Sequence, residues 1–162
     1  LFNFYGVENI IRIGSAGAMT GKLKLRDIVA GMSAYTNSNY GASFGFKGHL
    51  APSCSYELLT KAVEAGKALG QPIVPGPIFS SDCFYEQGCD KTASSILAKL
   101  GVLCVEMEIS ALYANAAFAG KHALGILSIS DVIGKNEEMT PEERQTKFTN
   151  MMELALDTVT GL

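Results

Sequence analysis

Residues 9–18 have the sequence NIIRIGSAGA, in which an apolar run gives way to small residues. The apolar part predicts a buried strand over 9–13, and the small residues predict a flexible loop over 14–18. Further strands are predicted over 25–35, 72–79, 102–105 and 123–129. Helices are predicted over 55–69, 94–100, 110–119 and 140–159. Near-continuous apolar strands alternating with helices indicate a three-layer α/β/α fold. No linker interrupts the pattern, so residues 1–162 are predicted to form one domain.

The loop that follows the first strand has the composition of an anion site. Small residues let backbone N–H groups approach an anion closely, while a hydroxyl and a guanidinium add further donors. Arg12, Ile13, Gly14 and Ser15 are therefore candidates to bind phosphate. The alternative is a tight turn in which Arg12 points to solvent.

Composition excludes several classes of function. The chain has 162 residues, is 48% hydrophobic and carries a formal net charge of −3. Its Lys and Arg residues are scattered, which argues against binding nucleic acid. No apolar run approaches the ~20 residues that span a bilayer. The four cysteines form no Cys-x-x-Cys pair and only two His are present, so no zinc site is predicted. Cys104, in an apolar run, is interpreted as a buried free thiol of a cytoplasmic protein.

The end of a second strand carries two carboxylates. Glu106 and Glu108 flank Met107, and in an extended chain residues two apart share a face. A carboxylate can accept both adjacent hydroxyls of a ribose, and Met107 can pack against an apolar ring edge. The alternative is a pair of acids that interact with the dipole of the following helix.

A third strand ends at Ser130 and Asp131. Desolvation favours the protonated form of a carboxyl group, so Asp131 is a candidate general acid. The alternative is an Asp that caps the next turn. Residues 79–85 combine aromatic and small polar residues, which suit either a wall on which a ring stacks or packing within a loop. Arg144 lies in the first turn of the last predicted helix, where the alternative is a solvated surface residue.

Five motifs in this order resemble those of the hexameric, bacterial-type purine nucleoside phosphorylases, within the nucleoside phosphorylase and nucleosidase superfamily. The motifs are residues 12–18, 79–85, 105–108, 130–131 and 143–146. The resemblance covers essentially the whole chain. It implies a mixed, partly barrel-like central sheet within the α/β/α fold.

The resemblance also implies roles for the residues at the first two strand ends. Arg12 to Ser15 would bind phosphate. Glu106, Met107 and Glu108 would hold the nucleoside, with Glu108 on the ribose hydroxyls. The substrates would be purine nucleosides and phosphate, and neither a metal nor an organic cofactor would be needed.

The remaining roles concern the purine. Phe84 would flank the base, and Ser130 would face it together with Asp131. Asp131 would be the acid that protonates N7, and Arg144 would assist that proton transfer.

Assembly is implied in the same way. The family forms homohexamers, built as trimers of dimers, in which a neighbouring subunit completes each site. The family's N-terminal third contributes a Gly and an Arg to phosphate binding, and no matching segment occurs in this sequence. We therefore expect the domain to be N-terminally incomplete.

Three alternatives remain at this point. A nucleosidase of the same fold would use water, although Arg12 favours phosphate. A uridine phosphorylase would not need an acid opposite purine N7, so Asp131 favours a purine. A non-catalytic nucleoside-binding protein would not need candidate residues at all three strand ends.

Overall fold

The computed structural model describes residues 1–83, 91–135, 137–146 and 148–160. The strands are β1 (Asn9–Ala18), β2 (Ile28–Thr36), β3 (Ile73–Ser80), β4 (Cys104–Glu106), β5 (His122–Val132) and β6 (Glu137–Glu138). The helices are α1 (Phe2–Tyr5), α2 (Tyr56–Ala68), α3 (Lys91–Lys99), α4 (Ile109–Phe118), α5 (Pro141–Thr146) and α6 (Thr149–Thr160). A 3₁₀ helix covers Tyr40–Phe44.

The sheet closes into a barrel of five strands. Its order is β1-β4-β3-β2-β5-β6, and β1 also pairs with β5. Three pairings are parallel (β1–β5, β2–β3 and β3–β4) and three are antiparallel (β1–β4, β2–β5 and β5–β6). The mixed, partly barrel-like sheet predicted from the sequence is confirmed.

Two groups of buried residues lie on opposite faces of the strands. Within β5, Leu127 and Ile129 belong to the first group, together with Ile109 and Tyr113 of α4. Leu124 and Ile126 belong to the second group, which includes Leu58 of α2 and Leu154 of α6. Successive side chains of a strand point to opposite faces, so helices on both sides make a strand apolar throughout. This arrangement confirms the three-layer prediction.

The prediction of a loop over 14–18 was wrong. These residues belong to β1, which pairs with β5 as far as Ala18 opposite Val132. The register shifts between Ala16 and Gly17, which marks a local irregularity of the strand. Pairing along both strands therefore outweighs the low strand propensity of small residues.

Two other boundaries differ from the predicted ones. β5 continues through Asp131 to Val132, so the third strand does not end before its polar residues. The single helix predicted over 140–159 is two helices, α5 and α6, and Phe148 between them is buried in the second core group. The interruption between α5 and α6 therefore coincides with the burial of the Phe148 side chain in that core.

The start of α5 has the reciprocal hydrogen bonds of a capping box. The Thr140 hydroxyl accepts from the backbone N–H of Glu143 (3.2 Å), and the Glu143 carboxylate accepts from the Thr140 N–H (3.0 Å). The second bond lowers the pKa of Glu143 below its ordinary value. Thr140 was predicted from the sequence to begin this helix, and the structure confirms it.

Tyr113 links two strands from inside the first core group. Its hydroxyl donates to the Gly31 carbonyl and accepts from the Gly125 N–H at 2.9 Å. Burial raises the pKa of Tyr113 above its ordinary value. Burial also raises the pKa of the Cys104 thiol, and the charge of Glu106 adds to that rise.

We expect Tyr113→Phe to reduce the free energy of unfolding by about 1–3 kcal/mol, because it leaves a buried carbonyl and a buried N–H without their partner. Denaturant unfolding of the full-length protein measures the change. Tyr40→Phe is the matched control, since it removes an exposed hydroxyl that accepts from Asn115. Equal stabilities of the two variants would contradict the role given to the buried hydroxyl.

Candidate active site

The three strand ends selected from the sequence meet around Gly17. This residue pairs with Val105 of β4 on one side and with Asp131 of β5 on the other. β4 in turn pairs with β3 through Glu106 and Ser80. The sheet thus brings together segments that are far apart in the chain.

Arg12 lies across the edge of β1 and faces both carboxylates. Its Nη2 forms an ion pair with Glu108, and its Nη1 lies 3.7 Å from Oε2 of Glu106. A Cβ at position 14 would lie 2.5 Å from Nη1, so the guanidinium occupies space that only Gly14 leaves open. Arg12 therefore points into the site, and the solvent-facing alternative does not hold.

The edge of β1 near Arg12 offers backbone donors. Among the strands that the structure describes, β4 reaches only Gly17 and Ala18, and residues 9–16 pair with β5 alone. A strand paired on one side presents unpaired N–H and C=O groups on the other. Ser15 and Ile13 are exposed there. Backbone donors for an anion would thus come from a strand edge, and not from a loop as the sequence suggested.

Glu106 is buried, and its carboxylate accepts hydrogen bonds from the start of α4. Backbone N–H groups of Glu108 and Ile109 each donate at 2.9 Å to Oε2, and Ile109 also approaches Oε1 at 3.2 Å. The Ser80 hydroxyl donates to Oε1. Glu106 therefore behaves as the alternative interpretation predicted, as an acid that interacts with the start of the following helix.

Glu108 has a different environment. It is the N-cap residue of α4, but its side chain makes no capping hydrogen bond. That side chain is 59% exposed and contacts Arg12. Met107 beside it is also exposed. A ligand in the site can reach Glu108 and Met107.

Asp131 lies against the backbone of Gly17. One of its oxygens accepts from the Ser130 hydroxyl at 2.8 Å, and a Cβ at position 17 would lie 2.6 Å from the other. Ser130 is buried, whereas Asp131 is only partly buried. The carboxyl group of Asp131 is thus held in place and still reachable.

Arg144 does not contact Asp131. Its Nε donates to the carbonyl of Met139 at 3.1 Å, and the N–H of Met139 donates to Ser130 at 2.8 Å. Within the described part of the chain, no hydrogen bond or ion pair joins the two side chains. Arg144 therefore lies next to the acid's strand without touching the acid.

Two residues that the sequence did not single out make contacts with elements that carry the site. Ser80 bridges Glu106 and the N–H of Ser110, which lies 2.9 Å from its hydroxyl. Arg26 adopts a positive φ of 73° and forms an ion pair with Glu143, which ties α5 to the start of β2. The small polar motif at 79–85 contained Ser80, but nothing in the sequence marked Arg26. Phe84 lies outside the described residues.

A family model described as the phosphorylase superfamily matches residues 1–162. The chain belongs to this superfamily. The resemblance inferred from the five motifs is confirmed at the level of the family.

Individual relatives agree with this assignment. The chain is 48% identical over 160 residues to a protein of Psychromonas ingrahamii named "Purine nucleoside phosphorylase DeoD-type", covering 98% of this chain and 66% of the relative. A protein of the same name from Colwellia psychrerythraea is 45% identical over 159 residues, covering 98% and 67%. The chain thus spans about two thirds of the length of the curated relatives it matches.

A solved structure shares the fold. It is a purine nucleoside phosphorylase from Toxoplasma gondii in complex with immucillin-H, with a TM-score of 0.86 and 20% sequence identity. The match covers 96% of this chain and 64% of that one. The phosphorylase-superfamily fold is therefore present across nearly the whole chain.

Two concave surfaces of this superfamily member lie away from the candidate residues. One, of about 360 Å³, is lined by apolar residues that include Phe44, Phe46, Tyr113 and Phe118. The other, of about 280 Å³, lies between α2 and the barrel near Met32 and Pro75. We place the site at Gly17 all the same, because charged and hydrogen-bonding groups converge there.

Two features are absent from the described residues. Among the described residues, no three His, Cys, Asp or Glu side chains are grouped so that they could hold a metal ion. No helix in the described ranges is long and apolar enough to cross a membrane.

Proposed function

We propose that the protein is a purine nucleoside phosphorylase. It would use inorganic phosphate to convert purine ribonucleosides and deoxyribonucleosides into the free base and ribose or deoxyribose 1-phosphate, a step of purine salvage. The names of the relatives support this proposal. The observation that carries it is the contact between Arg12 and Glu108, because it sets a cation suited to phosphate beside a carboxylate suited to ribose hydroxyls.

Phosphate would bind at Arg12 and along the open edge of β1 as far as Ser15. A guanidinium offers two parallel donors that match phosphate oxygens, and the Ser15 hydroxyl adds another. Ile13 and Gly14 would contribute backbone groups. A phosphate held here could attack the sugar carbon of a nucleoside whose ribose lies at Glu108.

The nucleoside would lie between Glu108 and Asp131. Glu108 would accept hydrogen bonds from the ribose hydroxyls, since its carboxylate is exposed and, among the described residues, has Arg12 as its one partner. Met107 would pack against the sugar or base. Phe84 would flank the base, and Ser130 would fix Asp131 opposite the purine.

Bond changes then follow from these positions. The bond between C1′ and N9 breaks, its electron pair moves into the purine, and C1′ develops oxocarbenium character. A phosphate oxygen forms the new bond to C1′. Asp131 enters protonated and transfers its proton to N7, which neutralises the leaving base. Arg144 would have to turn from Met139 toward Asp131 in order to assist.

The charge balance supports a site completed by other segments. One guanidinium faces two carboxylates at Arg12, so a phosphate anion needs more positive charge than these groups supply. We propose that this charge comes from a preceding segment and from a neighbouring subunit of a homohexamer, arranged as a trimer of dimers. The enzyme would act in the cytoplasm without a metal or organic cofactor.

The test is a product assay on the full-length protein. We expect release of hypoxanthine from inosine and of adenine from adenosine that depends on phosphate and yields the sugar 1-phosphate. Equal release without phosphate would favour a nucleosidase. Cleavage of uridine alone would favour a uridine phosphorylase, and tight nucleoside binding without turnover would favour a non-catalytic protein.

A further inference from the structure

The carboxylate of Glu106 has no room for a substrate. Its side chain is 1% exposed. Backbone N–H groups of Glu108 and Ile109 and the Ser80 hydroxyl already donate to its two oxygens. A carboxylate offers about four acceptor positions, and these contacts fill most of them from the protein side. A ribose hydroxyl would have to displace the start of α4 to reach it.

The same carboxylate faces the guanidinium. Nη1 of Arg12 lies 3.7 Å from Oε2, is buried, and makes no hydrogen bond within the described part of the chain. It therefore faces a carboxylate that the backbone N–H groups at the start of α4 hold in place. The other end of the guanidinium contacts Glu108, whose exposed side chain is free to exchange partners.

The two acids thus have different relations to Arg12. Glu108 competes with phosphate for Nη2, because it is exposed and a bound anion would take its place. Glu106 cannot leave, because it is tied to α4 and to Ser80. It remains opposite Nη1 whether or not an anion is bound.

We propose that Glu106 is a positioning residue of the phosphate subsite, which holds the Arg12 guanidinium in place and does not touch the nucleoside. This inference rests on the proposed function, and it replaces the sequence-based prediction that Glu106 contacts the nucleoside. Ser80 acts indirectly on the same guanidinium. Its hydroxyl donates to the Glu106 carboxylate and accepts from the N–H of Ser110, which fixes the orientation of that carboxylate.

The test compares two substitutions that remove the same charge. In the full-length protein, Glu106→Gln and Glu108→Gln each delete one carboxylate beside Arg12. Charge alone predicts tighter phosphate binding in both. We expect Glu108→Gln to lower the Kd for inorganic phosphate, because a competitor is removed. We expect Glu106→Gln to raise that Kd about tenfold, the factor that corresponds to ~1.4 kcal/mol, because the guanidinium loses its fixed neighbour.

Calorimetry with inorganic phosphate gives the Kd, and steady-state kinetics give KM for phosphate and for inosine separately. A Glu106→Gln variant that binds phosphate as well as or better than wild type would overturn the proposal. A Glu106→Gln variant in which only the KM for inosine rises would also overturn the proposal, because it would indicate that Glu106 contacts the nucleoside. Failure of the wild type to require phosphate would instead count against the proposed function.

Ser80→Ala provides a second route if Glu106→Gln does not fold. It removes only the hydroxyl that orients the carboxylate. We expect a smaller rise in the Kd for phosphate in the same direction, with the far-ultraviolet circular dichroism unchanged. An unchanged Kd in a folded Ser80→Ala variant would also contradict the proposal.

Discussion

Replacing Asp131 with Asn is expected to lower kcat on adenosine and inosine by about 10²–10⁴-fold, the usual contribution of general acid catalysis. Asn is nearly isosteric and can still accept the hydrogen bond from Ser130, but it cannot readily give up a proton. The KM for the nucleoside should change little, because the shape of the site is kept. Steady-state kinetics of the full-length protein measure both constants.

The control for Asp131→Asn uses nucleosides whose leaving base needs no proton at N7. Purine nucleosides methylated at N7 have a leaving group that is already cationic. Their cleavage should survive Asp131→Asn much better than that of the natural nucleosides. Equal losses on both substrates would mean that Asp131 holds structure or substrate, and the assignment as an acid would fail.

A second control tests for a general effect of charge. Glu138 pairs with Asp131 across β5 and β6 and is exposed. Glu138→Gln removes a carboxylate from the same neighbourhood without removing the proton donor. Its kcat should stay close to that of the wild type.

Replacing Arg12 with Ala is expected to raise the KM for phosphate about ten- to a hundred-fold. A charge-assisted hydrogen bond contributes ~1.5–3 kcal/mol, and each ~1.4 kcal/mol is a factor of ten. The effect should appear in the phosphate dependence more than in the nucleoside dependence, since Glu108 remains. Initial rates over a range of phosphate concentrations measure it.

Lys121 offers a matched cation for that experiment. It forms an ion pair with Glu8, next to the first residues of β1 and β5, away from the end of the barrel that carries the site. Lys121→Ala should leave the KM for phosphate unchanged. If Arg12→Ala behaves like Lys121→Ala, then Arg12 does not bind phosphate, and the nucleosidase alternative gains support.

Most of the architecture was predictable because the signals were local. Apolar runs predicted the strands, helical periodicity predicted α2, an Ala-rich stretch that ends at Gly120 predicted α4, and Thr140 predicted the start of α5. The loop predicted over 14–18 was wrong because its partner strand is far away in the chain. Small residues carry little strand propensity of their own, so their conformation here follows from pairing with β5.

Some features of the candidate site could not be predicted from the sequence. Spacing suggested that Glu106 and Glu108 share a site, and both do face Arg12. Sequence could not tell them apart, since the difference lies in burial and in backbone N–H groups aimed at one of them. Nor could it find Arg26, whose positive φ and ion pair with Glu143 depend on tertiary contacts.

The pairing of β1 with β5 also bears on how the chain folds. Asn9 pairs with His122 and Ala18 with Val132, so most of the chain lies between the two partners. Contacts of such high sequence separation carry a large loop-closure cost and form slowly. Because Gly17 and Asp131 are themselves one of these pairs, the acid reaches its position only when the barrel closes. During synthesis on a ribosome, the chain through β5 must therefore leave the exit tunnel before the candidate site can form.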